Sequence, residues 1–164
     1  MRLYLKQQTA SGNEIFAVCD MLANPIYTVL RGESAFTEKM LILDKEKNVA
    51  AKISRIGPET FSRSTITAYG KPSIRLFQNM AGIQPAYRLF GVSWRFRGNV
   101  PTRSFDLVEL DGSLVMSHGV CWNPEGNVFC VDVIRETDLL WCTAISVIID
   151  SVLPSGTVAA VPVS

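Results

Sequence analysis

The sequence predicts a mainly β fold, a closed antiparallel barrel of about twelve strands around a buried C-terminal helix. Up to about Val133, short runs of alternating apolar residues are separated by turn residues at intervals of about 8 to 12 positions, as in antiparallel sheets. The 164-residue chain then changes to one long apolar run typical of a helix. A sheet of so many strands does not stay flat. Closing it around the helix would remove the exposed strand edges and bury the helix.

The strands are predicted from alternation and from the turns between them. Three turns share one design, in which an aspartate bonds its own turn backbone and asparagine or glycine accepts a positive φ: Asp20 to Asn24, Asp44 to Asn48, and Asp111-Gly112. Successive hairpins place sequential strands side by side. The predicted strands are 3–7, 15–19, 26–30, 39–43, 49–53, 64–69, 71–77, 86–90, 93–96, 104–110, 114–120 and 127–133.

The helix is predicted at about 138–153. Glu136 to Asp138 supply capping oxygens and negative charge at its start, and Pro154 with Gly156 ends it. It is apolar nearly all round, so we expect it to be buried. Thr143, Ser146 and Asp150 form one polar stripe, in which we expect Ser146 to bond the Asp150 carboxylate. The predicted core residues of the helix are Leu140, Trp141, Ile145, Ile148, Ile149 and Val152.

A membrane span is the competing interpretation of this segment. Residues 139–153 would form a helix about 22 Å long at about 1.5 Å per residue, whereas the hydrocarbon core of a bilayer is about 30 Å thick. Asp150 would add a further penalty. The apolar segment is therefore predicted to be buried within protein rather than to cross a membrane.

The chain is predicted to form a single domain over residues 1–156, followed by a tail, 157–164, whose order the sequence does not predict. The amino terminus lacks the apolar core of a secretory signal, so we expect a cytoplasmic protein, peripheral to a membrane where it binds one. Four cysteines, Cys19, Cys121, Cys130 and Cys142, are accordingly expected to be reduced. With one histidine and no C-x-x-C motif, neither a metal nor a cofactor is predicted.

The order and spacing of several short motifs resemble the LURP-one-related family, whose members share the tubby-like carboxy-terminal fold. The similarity covers nearly the whole chain except 57–63 and the tail. It rests on Leu3 to Gln7, Pro25-Ile26-Tyr27, Leu30-Arg31-Gly32, Leu41 to Asp44, Asn48-Val49-Ala50, Gly91 to Trp94 with Gly98, Phe105 to Gly112, and Ile148 to Leu153.

The resemblance implies a twelve-stranded barrel around a central helix. Tubby proteins, related in fold, bind phosphoinositides, and phospholipid scramblases are thought to share the fold. The family motifs are structural, so the resemblance assigns no functional residue to this chain.

No convincing catalytic constellation is present. His118 and Cys121 suggest a nucleophilic dyad, but residues three apart on a strand point to opposite faces, so a half-exposed histidine and a core cysteine are the simpler interpretation. Of the acids Asp106, Glu109 and Asp111, only the last two share a face, and Asp111 fits a turn. We therefore predict that the protein is not an enzyme.

The distribution of charge is the strongest functional signal. Between Lys52 and Arg103 nine basic residues accompany one acid, Glu59, so this segment carries 9 − 1 = +8, while the remainder carries 7 − 14 = −7. Arginine is a planar, permanently charged donor suited to phosphate groups. The predicted anion- or lipid-binding residues are Arg75, Arg88, Arg95, Arg97 and Arg103.

Two functions remain open at this stage. The first is a binding module that recognises anionic phospholipid headgroups, such as phosphoinositides, on a membrane surface. The second is a protein-interaction or scaffold domain whose arginines contact an acidic partner without lipid. Nucleic-acid binding is less favoured, because alternation turns Trp94 and Phe96 inward and Arg95 and Arg97 outward. The sequence does not predict an oligomeric state.

Overall fold

A computed structural model describes residues 1–8, 12–32, 37–58, 60–121 and 128–152. It contains one helix, α1 (Leu139–Val152), preceded by a 3₁₀ turn at Glu136–Asp138. The described strands are β1 (Arg2–Gln7), β2 (Glu14–Cys19), β3 (Pro25–Gly32), β4 (Glu38–Leu43), β5 (Val49–Ile56), β6 (Phe61–Thr67), β7 (Ile74–Asn79), β8 (Ala86–Phe90), β9 (Arg95–Asn99), β10 (Ser104–Val108), β11 (Leu114–Cys121) and β12 (Val128–Val133).

All twelve strands join one antiparallel sheet, in the order β8-β7-β6-β5-β4-β3-β2-β1-β12-β11-β10-β9. In the middle of this order the first and last strands, β1 and β12, pair with each other, with Leu3 opposite Val131. Sequential neighbours pair everywhere except between β8 and β9, which are the two edges. The predicted fold is therefore confirmed: the protein is mainly β, with twelve antiparallel strands in a nearly closed barrel and one C-terminal helix, and the seam lies between β8 and β9.

Three aspartate turns form as their residue types predict. The Asp20 and Asp44 carboxylates each accept hydrogen bonds from two turn amides, and Asp111 accepts one from the Ser113 amide at 2.9 Å. These bonds hold the pKa of Asp20 and of Asp111 below its ordinary value. All three turns lie at the same end of the barrel. They follow β2, β4 and β10, and all even-numbered strands run in the same direction in this antiparallel sheet.

The largest boundary differences occur in the Arg-rich part of the chain. There β6 begins at Phe61 rather than residue 64, β7 spans Ile74–Asn79 rather than 71–77, and β9 spans Arg95–Asn99 rather than 93–96. Gly70, with a φ of 71°, lies in the turn that separates β6 from β7. The turn around Gly70 therefore takes in residues 68–73, which alternation assigns, apart from Gly70 itself, to the ends of the two strands.

The helix lies in the barrel core, against inward side chains of β5, β6 and β12. Trp141, Ile145, Ile148 and Ile149 are buried, while Leu140 is half-buried. The side chain of Val152, Leu153 and the predicted tail 157–164 lie outside the described residues. Within the described part of the chain, no helix is both long and apolar enough to cross a membrane.

The cysteines depart from the expectation that all four are reduced. Cys121 at the end of β11 and Cys130 on β12 form a disulfide, with Cα atoms 6.0 Å apart, inside the range that a disulfide requires. Pairing of Cys121 with Val128 and of Gly119 with Cys130 brings the two thiols together on one face of this hairpin. Cys19 and Cys142 are free and buried, and burial raises the pKa of Cys142 to about 12.

Candidate functional site

The predicted anion-binding arginines do not share one environment. Arg75 on β7 and Arg88 on β8 are exposed on the outer face of one sheet edge, while Arg95 and Arg97 are exposed on β9, across the seam. Arg103 is only 3% exposed and points into the barrel. The structure thus brings the first pair together, places the second pair on the other side of the seam, and removes Arg103 from the surface.

The outer face of β5 to β8 carries a group of cations that no described carboxylate pairs with. In each of these strands the buried residues alternate with outward ones, and strand pairing sets the outward residues in rows. One row runs from Arg63 through Phe77 to Arg88, and the next joins Arg75 to Phe90. With Lys52 on the adjacent strand, four cations from four strands share this surface.

Large apolar side chains lie among these cations. Phe61 is 60% exposed, Ile56 49% and Phe90 45%, and the Phe77 and Phe90 rings meet edge to face with their centroids 5.2 Å apart. Most exposed hydrophobic residues in proteins are single and need no explanation, but contiguous ones often mark an interaction site. We call this surface the basic–aromatic face; it consists of Lys52, Ile56, Phe61, Arg63, Arg75, Phe77, Arg88 and Phe90.

The described residues of β5 to β8 and their connecting turns include no carboxylate. Glu59 is the one acid in residues 49–90 of the sequence, and it lies outside the described residues. Arg55, also on β5, lies apart from this surface, because it is buried and forms an ion pair with Glu38. The basic–aromatic face therefore has a net positive charge that ion pairs within the described sheet do not balance.

Both arginines of β9 donate hydrogen bonds to residues on or just after β10. Arg97 donates to Asp106 at 2.8 Å, and Arg95 donates to the carbonyl oxygen of Leu110 at 3.3 Å. Burial opposes ionisation of Asp106, but hydrogen bonds from Ser117 and Arg97 outweigh it, so the pKa of Asp106 lies below its ordinary value. Trp94 is buried and Phe96 half-buried, as alternation predicts.

Arg103, His118 and Asp150 form an ionic cluster inside the barrel. His118 Nε2 lies 2.9 Å from Asp150 Oδ2, and Arg103 Nε lies 3.3 Å from Asp150 Oδ1. All three side chains are almost completely buried. The imidazole stacks on Phe105 with centroids 4.5 Å apart, and the guanidinium lies over the Phe129 ring. This ionic cluster ties the end of α1 to β11 and to the turn between β9 and β10.

The hydrogen bonds of His118 determine how many protons the cluster holds. Nδ1 lies 2.7 Å from the Arg103 carbonyl oxygen, which only accepts, so Nδ1 carries a proton. One further proton must then lie between Nε2 and the carboxylate, on either atom. Burial raises the pKa of Asp150, and the charges and hydrogen bonds of His118 and Arg103 oppose that rise. Whichever atom holds the proton, the ionic cluster has a formal charge of +1.

The contacts of the polar stripe on α1 and of His118 differ from the sequence-based predictions. Ser146 donates to the Cys142 carbonyl at 2.8 Å, one turn back, and Asp150 instead meets His118 and Arg103. His118 is buried rather than half-exposed, because its strand turns it toward the helix. Cys121 is held in the disulfide with Cys130, so it supplies no thiolate partner for His118.

A groove opens between the edge strands β8 and β9. It has a volume of about 790 Å³ and lies at the end of the seam away from the loop 91–94 that links the two strands. Arg88 is the one charged side chain among its lining residues, which are Gln84, Pro85, Ala86, Tyr87, Arg88, Phe96, Gly98, Asn99, Val100, Pro101 and Thr102. The Tyr87 and Phe96 rings form its floor, with centroids 5.8 Å apart.

Comparison with known proteins supports the fold and no specific activity. No family model matches the chain. It is 23% identical over 154 residues to the uncharacterized protein YxjI of Bacillus subtilis, covering 93% of this chain and 94% of that protein. An X-ray structure of an Arabidopsis thaliana protein superposes with a TM-score of 0.59 at 13% identity, covering 92% of this chain and 91% of that one. At this level of identity the structural likeness establishes the fold alone.

Sequence reasoning missed the outward phenylalanines and the ionic cluster. The alternation Phe61-x-Arg63 and Arg75-x-Phe77 was available as a signal that aromatic and basic residues share a face. The partners of Asp150 are 32 and 47 positions away along the chain, so no local pattern indicates them.

Proposed function

We propose that the protein is a non-enzymatic binding module that docks on anionic membrane surfaces through its basic–aromatic face. The observation that carries this proposal is the combination of four surface cations with exposed apolar side chains, without a described carboxylate among them. Lysine and arginine near an anionic leaflet contribute about 1 kcal/mol each, and apolar side chains add affinity where they enter the interface. The resemblance to tubby-like proteins makes phosphoinositides the favoured headgroups.

The arrangement of the apolar residues favours lipid over protein or nucleic acid. Ile56 and Phe61 lie at the end of the face where β5 leads into β6, and the fully exposed Ile83 lies in the turn between β7 and β8 at the same end. An apolar tip beside a cationic surface matches the layered chemistry of a bilayer interface. Exposed aliphatic side chains do not stack on bases, and the edge-to-face contact of Phe77 and Phe90 obstructs stacking between them.

Reversing the charge of this face is expected to abolish binding to anionic vesicles. We expect the triple variant R63E/R75E/R88E to bind vesicles of phosphatidylcholine with phosphatidylinositol bisphosphate at least about 100-fold more weakly, because three favourable charges of about 1 kcal/mol each are lost. Co-sedimentation at low and high salt measures this effect, and binding of the unaltered protein should weaken as salt rises.

A matched control separates a specific surface from net charge. The variant K6E/K45E/K47E changes the net charge equally, but its residues lie on β1 and in the turn after β4, outside the residues that form the basic–aromatic face. It should retain vesicle binding to within a few-fold. Equal losses in the two triple variants, or tight binding of a single-stranded oligonucleotide without vesicle binding, would contradict the proposal. A second variant, F61S/I83S, should weaken vesicle binding while leaving its salt dependence intact.

A further inference from the structure

Among the described strands, the seam between β8 and β9 leaves two edges unpaired. There β8 pairs with β7 and β9 pairs with β10, although β8 and β9 follow each other in the chain. In an edge strand, alternate residues direct their N–H and C=O groups away from the sheet. The two strands therefore present backbone donors and acceptors toward the groove that separates them.

Inside the groove, the floor is apolar and aromatic. Tyr87 from β8 and Phe96 from β9 are half-buried there, and Val100 follows at the end of β9. Gly98 lies against β10 with a φ of 101°, where a Cβ atom would come 2.9 Å from the Ser104 carbonyl oxygen. A side chain at this position is therefore disfavoured, which leaves the groove wall open beside Phe96.

Outside the groove, the rims are basic. Arg88 extends outward from β8, and Arg95 and Arg97 extend outward from β9. Behind the floor lies the ionic cluster, whose formal charge is +1; burial raises the pKa of Tyr87 while the nearby charge of Arg103 acts in the opposite direction. Of these rim arginines, Arg97 is shared with Asp106. Glu109 also lies beside the seam and accepts hydrogen bonds from Ser93 and Trp94. The rim charges without an ion pair among the described residues are therefore those of Arg88 on one side and Arg95 on the other.

From this arrangement we propose that the seam accepts an extended peptide as an added strand, with apolar side chains turned inward and acidic side chains turned outward. Strand addition to an exposed edge obtains affinity from backbone hydrogen bonds and specificity from alternate side chains. Inward residues of such a strand would contact Tyr87, Phe96 and Val100, and outward residues would lie between Arg88 and the arginines of β9. The volume of about 790 Å³ falls in the range of ordinary binding pockets.

This partner differs from the lipid surface proposed above, and the two sites are separable. The peptide uses the gap between β8 and β9, whereas lipid docking uses the outer face of β5 to β8; Arg88 borders both. The chain's own segment Thr157 to Val161 is uncharged, so it lacks the acidic residues that would pair with the basic rims and is not the proposed occupant. Acidic character is therefore the property that distinguishes the proposed occupant.

The test uses fluorescently labelled five-residue peptides and the full chain. We expect an alternating Glu-Val peptide to bind, and its Lys-Val counterpart to bind about tenfold more weakly because it meets like charge at both rims. A Glu-Val peptide N-methylated at alternate residues, in either register, should lose binding since it lacks the backbone donors. Hydrogen exchange should slow in β8 and β9 only when the Glu-Val peptide is present.

Variants locate the site and separate it from lipid docking. R88E/R95E should weaken Glu-Val binding about tenfold, while K6E/K45E and R63E/R75E should leave it unchanged. The proposal is overturned if the Lys-Val peptide or a Thr-Val-Ala-Ala-Val peptide binds as tightly as the Glu-Val peptide. It is overturned equally if N-methylation has no effect or if slowed exchange falls outside β8 and β9.

Discussion

Replacing Asp150 with alanine is expected to lower the free energy of unfolding by about 3 to 5 kcal/mol, the largest single-residue effect that we expect in this protein. The carboxylate lies 2.9 Å from His118 Nε2 and 3.3 Å from Arg103 Nε, with all three side chains excluded from water. Without it, the buried guanidinium loses the negative charge of Asp150 and Nε2 loses its hydrogen-bond partner. Urea titration measures the change, since the midpoint shifts while the slope stays constant.

The variant D150N serves as the matched comparison. An asparagine amide can donate to Nε2 of a neutral His118, and its carbonyl oxygen can accept from Arg103, so the hydrogen bonds and the formal charge of +1 are both retained. We expect D150N to cost about 1 to 2 kcal/mol. The double variant R103M/D150A should be more stable than the sum of the two single losses predicts, because the two side chains interact directly and the second substitution removes a group that has already lost that interaction.

A loss below about 1 kcal/mol in D150A would contradict the geometry of the ionic cluster. So would additivity of R103M and D150A, because residues that share a buried ion pair do not contribute independently. Arg103 also adopts a φ of 61°, which is unfavourable for a residue with a Cβ atom. The variant R103G relieves that backbone strain while removing the guanidinium, so comparison with R103M separates the two contributions.

Truncating Ile145 to alanine is expected to cost about 2 to 5 kcal/mol. Ile145 is completely buried at the middle of α1, where the barrel packs around the helix and neighbouring side chains cannot readily fill the space left behind. The free energy of unfolding from denaturant titration measures this loss. The cost combines the lost transfer free energy of the removed carbons with the cavity that remains.

Ile134 provides the control for this substitution. It is the same residue type, lies just after β12 and is 58% exposed, so I134A should change stability by no more than about 0.5 kcal/mol. Equal costs for I145A and I134A would contradict the position of the helix in the core. A near-zero cost for both would show that the helix is not packed as described.

Sequence patterns predicted most of the fold because strand faces and turns are determined by residues close together in the chain. Alternation marks the inward face of each strand, and the Asp20 and Asp44 turns determine which strands become neighbours. The apolar character of residues 139–152 predicts that the rest of the domain must surround this helix. The seam was not predicted, because whether β8 and β9 pair depends on the curvature of the whole sheet rather than on any residue within either strand.

The positions of the Arg-rich side chains in space were harder to predict, for a physical reason. An excess of arginine along the chain does not specify how those residues are distributed in space. The registers of β6 with β7 and of β7 with β8 place Arg63, Phe77 and Arg88 in one row. Arg103 instead points inward and contacts Asp150. Both outcomes depend on contacts between distant segments, which a single sequence does not display.

The pairing of β1 with β12 has a consequence for how the chain folds during synthesis. Arg2 and Asp132, joined by a two-point ion pair, are 130 positions apart, so β1 lacks one neighbour until β12 has been synthesised. Contacts of such long range slow folding, and an unpaired strand edge is a site for aggregation in the meantime. The nascent amino-terminal hairpins are therefore expected to depend on chaperones more than the completed protein does.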